Sequence, residues 1–98
     1  MRNIIKKLFP KREIERISER LLVKAEELGL PDVDIENARA MLEHNEAGQC
    51  FDTIAAQLYE YSIPVDQEFL DLAAAALEKM NIIPGEYEFL YELLSTRE

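Results

Sequence analysis

Hydrophobic positions recur every three to four residues along most of the chain, a spacing typical of amphipathic α-helices. The clearest apolar stripe consists of Ile14, Ile17, Leu21, Leu22, Ala25 and Leu28. Gly29 and Pro31 follow this stripe. Together they end a helix, because glycine accepts the left-handed conformation and proline resists continuation of the helix. The pattern predicts a first helix over residues 11–28, preceded by Pro10.

Four more helices are predicted downstream, over residues 35–45, 49–61, 66–80 and 84–94. Asp34 is the expected N-cap of the second helix, and Ala47 with Gly48 permits a break before the third. The fourth helix contains the alanine-rich run 72–77, which allows close approach to other helices, so we expect it to be the central helix. Asn81 can close that helix.

The pattern of elements indicates an all-α fold. No stretch alternates polar and apolar residues over the length of a strand, and no Asn-Gly or Asp-Gly hairpin turn occurs. Helices joined by short connections pack as antiparallel neighbours. Since 98 residues suit one domain, we predict a compact single-domain bundle of about five helices over residues 1–98, with residues 1–9 as a loosely packed N-terminal segment.

Charge is distributed unevenly along the chain. The formal net charge is −9, made up of +3 over residues 1–30 and −12 over residues 31–98. Phosphate binding needs clustered Lys and Arg, so the acidic part argues against direct binding of nucleic acid. Such a surface attracts a cationic partner, including a protein that itself binds nucleic acid.

Candidate chemistry is sparse. The chain has one cysteine, Cys50, and one histidine, His44, six positions apart across a predicted helix break. Glu43, His44 and Glu46 do not share one helix face, as zinc ligands on a helix do. We therefore predict no catalytic residues, no metal site and no cofactor. No apolar run has the length of a membrane span, and we expect a cytoplasmic protein without membrane contact.

Two segments, NARAMLEHNEAG at 37–48 and AAQLYEYSIPVDQEFLDLAA at 55–74, are distinctive in combination. With them, the chain resembles the MafI-type immunity proteins over about residues 32–83. The resemblance implies a small cytoplasmic protein that protects a bacterium from a polymorphic toxin or a toxin of contact-dependent inhibition. It further implies that the partner is the cognate C-terminal toxin domain, often a ribonuclease and in several cases of the EndoU type.

Outward-facing polar side chains on the second, third and fourth predicted helices form the candidate toxin-binding surface. These residues are Glu36, Glu43, Glu46, Asp52, Gln57, Tyr59, Glu60, Tyr61, Asp66, Glu68 and Asp71. Acidic groups increase the rate of association with a cationic toxin, and tyrosines are favoured anchors of interfaces. Alternatively, Tyr59 or Tyr61 packs in the core with its hydroxyl satisfied.

Two other functions remain open from the sequence. The first is a non-enzymatic scaffolding subunit that holds a partner helix in an apolar groove. The second is a small metal enzyme built on carboxylates. The sequence does not decide between a monomer and a weak dimer.

Overall fold

The computed structural model describes residues 12–94, which form a bundle of four α-helices and a C-terminal 3₁₀ segment. The elements are α1 Glu13–Leu28, α2 Asp32–Glu43, α3 Ala47–Glu60, α4 Gln67–Met80 and the 3₁₀ segment Pro84–Leu93. Among residues 12–94 the only strand-like pairing is a lone bridge between Val65 and Leu94. The predicted all-α bundle is confirmed. The predicted start of the first helix, at Lys11 after Pro10, and the segment 1–9 lie outside the described residues.

Helix α1 ends where the sequence predicts. Gly29 has a φ of 114°, in the left-handed region that glycine adopts without a steric penalty. Its amide donates to the carbonyl oxygens of Ala25 and Glu26, and the Leu30 amide donates to Ala25 at 3.0 Å. These bonds satisfy the last carbonyls of the helix and direct the chain toward α2.

Helix α2 begins earlier than predicted, and Asp34 is not its N-cap. The Pro31 carbonyl accepts the first hydrogen bonds, from the amides of Asp34 at 3.0 Å and Ile35 at 3.1 Å. Asp34 therefore lies inside the first turn, where an acidic side chain complements the helix dipole. Its side chain is buried against α3 instead of capping the backbone.

The break between α2 and α3 falls at residues 44–46, before the predicted step. Asn45 adopts a φ of 63°, a left-handed conformation that asparagine tolerates better than most residues. Ala47 and Gly48 already belong to the first turn of α3. The prediction of a break at these two residues was wrong, because the tight turn at Asn45 completes the reversal.

The core lies where the four helices and the 3₁₀ segment meet. Its largest fully buried side chains are Phe51, Phe69, Leu21, Leu22, Ile54, Leu58, Leu90, Val65 and Cys50. Helix α2 packs mainly on α3, and α4 mainly on α1, while α1 also contacts both α2 and α3. The 3₁₀ segment packs on α3 and α4.

The expectation that the alanine-rich helix is central was wrong. Helix α4 packs on α1 and the 3₁₀ segment, whereas α1 and α3 each pack on three other elements. Ala73 and Ala76 are buried, but Ala74 is exposed. Alanine favours helix formation on any face, so an alanine run does not by itself indicate a helix that is buried all round.

The last helix begins at Pro84 and ends at Leu93, close to the predicted bounds, but it has 3₁₀ geometry. Pro84 opens it, and Tyr87, with φ −123° and ψ 24°, interrupts its helical geometry. Leu90 is buried, and the Val65 amide donates to the Leu93 carbonyl at 2.9 Å. This tertiary docking replaces the regular helical bonding that a short isolated helix sustains poorly.

Candidate functional site

Aromatic rings join the 3₁₀ segment to α3. Phe51 and Tyr87 meet edge to face with ring centroids 4.8 Å apart, and Tyr59 and Phe89 do so at 5.1 Å. Tyr87 and Phe89 are 5.9 Å apart, so the four rings form one continuous row. Such pairs contribute about 0.5–1.5 kcal/mol each beyond the burial of their surface.

Two carboxylates fix the hydroxyls at this row. The Tyr87 hydroxyl donates to Asp52 Oδ1 at 3.0 Å, and the Tyr59 hydroxyl donates to Glu92 Oε1 at 3.1 Å. Burial, followed by the bond to Asp52, raises the pKa of Tyr87 to about 12. The bond to Glu92 raises the pKa of Tyr59 above its ordinary value. Both tyrosines therefore remain protonated at neutral pH. The two carboxylates that accept their hydrogen bonds, Asp52 and Glu92, are exposed.

We call this surface the acidic–aromatic face, defined by Asp52, Tyr59, Tyr87, Phe89 and Glu92; it packs on the buried ring of Phe51. The two elements that carry it, α3 and the 3₁₀ segment, contain five carboxylates and no Lys or Arg. Asp52, Tyr59 and Glu92 are exposed on this face. The arrangement presents negative charge beside aromatic surface, a combination suited to cationic side chains.

A second feature is an open groove of about 550 Å³ between α2 and α3. Six of its lining residues are Asp34, Asn37, Met41, His44, Glu46 and Gln57. The Gln57 amide nitrogen donates to Asp34 Oδ1 at 2.9 Å and lies 3.4 Å from the Tyr61 hydroxyl. The neighbouring Asp34 carboxylate raises the pKa of the Tyr61 hydroxyl above its ordinary value. We call this feature the α2–α3 groove.

The C-terminal end of α2 contributes His44 to this groove. The His44 ring nitrogen Nδ1 lies 2.8 Å from the Ala40 carbonyl oxygen. A carbonyl only accepts, so Nδ1 carries the proton and Nε2 is left as an acceptor in the neutral ring. This contact satisfies a terminal carbonyl of the helix, in agreement with the position expected of His44 near the helix end.

The acidic residues at the start of α4 lie elsewhere, against α1. Lys24 Nζ is 2.7 Å from Asp66 Oδ2 and 3.0 Å from Glu68 Oε1. Asp66 is also the N-cap of α4, because its side chain accepts from the Phe69 amide at 2.9 Å. Lys24, with help from that amide, lowers the pKa of Asp66. These two carboxylates are partly neutralised by the lysine.

The structure thus distributes the predicted surface over separate places. Tyr59 and Asp52 lie on the acidic–aromatic face, with Glu60 exposed beside Tyr59 in the sequence. Gln57 and Glu46 line the α2–α3 groove, and Tyr61 contacts Gln57.

The remaining predicted residues lie on α2 and α4. Glu36 and Glu43 are exposed on α2, while Asp66 and Glu68 contact Lys24. Asp71 accepts a hydrogen bond from Gln67 at 3.0 Å.

The tyrosines are not core residues. Tyr59 is 44% exposed and Tyr61 is 46% exposed, so the alternative interpretation that one of them packs in the core was wrong. Sequence reasoning missed Tyr87, Phe89 and Glu92, although the segment EYEFLYEL at 86–93 mixes acids with aromatic residues in the manner of an exposed interface.

Cys50 and His44 do not form a catalytic pair. Cys50 is fully buried, and burial raises the pKa of its thiol to about 11, whereas His44 is exposed and bonded to its own helix. Across the part of the chain that the structure describes, no three His, Cys, Asp or Glu side chains are grouped to hold a metal ion. Within residues 12–94, no helix combines the length and apolarity needed to cross a bilayer.

No protein-family model, curated protein or solved structure matches this chain.

Proposed function

We propose that this protein is an immunity protein that binds a cognate bacterial toxin domain and neutralises it by covering a cationic surface. A ribonuclease, of the EndoU type by preference, is the expected toxin, and the cytoplasm is the expected site of action. The acidic–aromatic face is the single observation that carries the proposal. The resemblance of residues 32–83 to the MafI-type proteins supports it independently.

The charge on this face suits such a target. An enzyme that cuts RNA needs a cationic site for the phosphate backbone. Five carboxylates on α3 and the 3₁₀ segment, with no basic residue among them, can occupy that site as a phosphate mimic. Complementary charge also raises association rates, toward about 10⁸–10⁹ M⁻¹s⁻¹ at low salt. Rapid capture matters for a protector that must reach the toxin before the toxin reaches RNA.

The aromatic residues supply the means of tight binding. Tyr59 and Tyr91 are 44% and 57% exposed, so each leaves apolar area for a partner to cover. Tyrosine is among the residues most often found as an interface anchor, because its ring and hydroxyl serve apolar and polar contacts together. The ring of Tyr59 is already held by Phe89 and Glu92. Little side-chain entropy is then lost when a partner binds.

Co-expression with the toxin domain encoded immediately upstream tests the proposal. The wild-type protein is expected to restore growth, and the double variant Glu60→Lys/Glu88→Lys is expected to lose that protection. Glu26→Lys/Glu78→Lys is the matched control, since all four glutamates are exposed and both variants change the charge equally. The control lies on α1 and α4 and is expected to protect like the wild type.

Two results would overturn the proposal for that pair. One is equal cell death with and without the wild-type protein. The other is full protection by both double variants, which would show that the exposed glutamates of α3 and the 3₁₀ segment, which carry the acidic–aromatic face, do not contribute to the interface. Genes for metabolic enzymes on both sides, together with binding of a partner helix, would instead favour the scaffolding alternative.

A further inference from the structure

One residue that lines the α2–α3 groove, Asp34, has a carboxylate that is only partly satisfied. Asp34 is 6% exposed, and its Oδ1 accepts from the Gln57 amide at 2.9 Å. Its other oxygen, Oδ2, is buried and has no hydrogen-bond partner among the described residues. A buried charged oxygen without a partner carries a substantial desolvation penalty, which a cationic donor relieves.

The rest of the groove offers acceptors and apolar surface. Glu46 and His44 also line it, and the His44 Nε2 is an acceptor when the ring is neutral. Ala40 and Met41 contribute apolar lining. Among residues 12–94, none of those that line the groove is Lys or Arg.

We propose that the α2–α3 groove receives the guanidinium group of an arginine side chain from the partner protein, with Asp34 Oδ2 as its principal acceptor. The aliphatic stem of the arginine would pack on Ala40 and Met41. This site deepens the proposed function. It rests on that proposal for the identity of the partner, because the toxin domain is the protein that presents the arginine. The guanidinium site itself can be tested without any toxin.

Access to Asp34 requires one small rearrangement. Oδ2 is buried, and Gln57, which donates to Oδ1, makes only a long contact of 3.4 Å with the Tyr61 hydroxyl. Tyr61 is 46% exposed, so a donor that arrives from solvent can take the place of its hydroxyl beside the Asp34 carboxylate. An arriving donor can therefore displace the Gln57 amide from its contact with Tyr61 while its bond to Oδ1 is kept.

The chemistry of the groove favours guanidinium over other cations. A metal ion needs several ligands converging on one point, and residues 12–94 provide no group of three His, Cys, Asp or Glu side chains that could do so. An ammonium group is compact and strongly hydrated, and it reaches one acceptor region at a time. Guanidinium is planar, less hydrated and carries five donors, so it suits a groove that offers several polar acceptors beside the apolar surface of Ala40 and Met41.

Titration of the ¹⁵N-labelled protein with N-acetyl-arginine amide, followed by NMR, tests the site. We expect saturable shifts confined to amides of α2 and α3 around the groove. The citrulline analogue has the same shape without the charge and should bind about tenfold or more weakly. Equal binding of the two compounds, or shifts that spread over the surface without saturating, would overturn the proposal.

Asp34→Asn is the decisive variant, since asparagine keeps the shape and can still accept from Gln57. It should weaken arginine-amide binding about tenfold. Glu36→Gln removes the same charge from an exposed position on the same helix and should change binding less than about twofold. If Asp34→Asn fails to fold, the arginine–citrulline contrast in the wild type still decides.

One comparison distinguishes a protein side chain from a free small molecule as the source of the guanidinium. A second comparison distinguishes failure of the groove proposal from failure of the proposed function. If agmatine binds more tightly than the capped arginine, the assignment to a protein side chain is wrong. Growth protection without arginine-amide binding would overturn only the groove proposal. Arginine-amide binding without protection would overturn the proposed function and leave the guanidinium site standing.

Discussion

Tyr87 holds the C-terminal 3₁₀ segment on the bundle, and its replacement gives the sharpest test of how the acidic–aromatic face is built. Its ring meets Phe51 at 4.8 Å and Phe89 at 5.9 Å, and its hydroxyl donates to Asp52 at 3.0 Å. Tyr87→Ala removes all three contacts, whereas Tyr87→Phe removes only the hydroxyl. The pair separates ring packing from hydrogen bonding at one position.

The expected magnitudes differ enough to be resolved. Loss of the hydroxyl should reduce the free energy of unfolding by about 0.5–1.5 kcal/mol, the usual net value of one hydrogen bond. Loss of the ring adds two aromatic contacts at about 0.5–1.5 kcal/mol each, besides the lost burial of a half-buried side chain. We therefore expect about 2–4 kcal/mol for Tyr87→Ala. In a domain of this size, each kcal/mol lowers Tm by about 4–8 °C.

Thermal unfolding followed by circular dichroism gives both values, and hydrogen exchange locates the change. We expect Tyr87→Ala to lose amide protection in the 3₁₀ segment first, because the packing between α1 and α4 does not involve Tyr87. Equal destabilisation by the Phe and Ala variants would refute the claim that the ring row docks the segment. An unchanged Tm for both variants would show that Tyr87 does not hold the segment at all.

The same tyrosine gives a pH dependence of known sign. Its folded-state pKa is raised to about 12, above the unfolded value near 10. A raised pKa means that folding favours the protonated form. The associated stability is fully present below about pH 10 and is lost as the pH rises toward 12. Ultraviolet titration should show one tyrosine that ionises late, and that transition should be absent in Tyr87→Phe.

Three further predictions concern the fold. Gly29→Ala should destabilise the protein by about 1 kcal/mol in urea unfolding, because the φ of residue 29 is 114°. Gly48→Ala should instead stabilise it by about 0.5–1 kcal/mol, because residue 48 lies in the first turn of α3 with open space around it. Phe69→Ala, at a fully buried position, should reduce the free energy of unfolding by about 3–5 kcal/mol, and a loss below about 1 kcal/mol would contradict the assigned core. The lowered pKa of Asp66 predicts stability that is present above about pH 4 and lost as the pH falls through the folded-state value; the urea midpoint should fall less steeply with acid in Lys24→Met.

Much of the fold could be predicted from the sequence because helix periodicity and helix ends are local signals. Gly29 ended α1 as predicted, since the requirement for a left-handed residue depends on the backbone alone. Asp66 at the start of α4 and the closing Asn81, with a φ of 59°, follow from the same local rules. These positions owe little to tertiary contacts.

The failures arose where tertiary contacts decide. Asp34 has a side chain typical of an N-cap, but this side chain accepts a hydrogen bond from Gln57 of the facing helix. The Pro31 carbonyl accepts the first hydrogen bonds of α2 instead. The C-terminal segment has helical spacing, yet the docking of Tyr87 and Leu90 gives it 3₁₀ geometry. Asp34 and Gln57 are 23 residues apart in the sequence, and Tyr87 and its partner Asp52 are 35 apart. No local pattern could therefore predict these two conformations.

The candidate site shows the same division. The acidic character of this region and the candidacy of Tyr59 and Tyr61 could be read from composition and spacing, but their exposure could not. The partnership of α3 with the 3₁₀ segment could not, because Asp52 and Tyr87 are 35 residues apart. The neutralisation of Asp66 and Glu68 by Lys24 likewise depends on how α1 packs against α4.

The most direct test of the account is the association rate of this protein with the toxin domain encoded beside it, measured by stopped flow at increasing NaCl concentration. Exposed charges are screened beyond about 10 Å at 0.1 M salt. The account predicts an association rate that falls about tenfold or more between low and high salt, with a weaker dependence in Glu60→Lys/Glu88→Lys. A rate that does not change with salt, or that changes equally in the two proteins, would contradict the claim that this acidic surface captures a cationic partner.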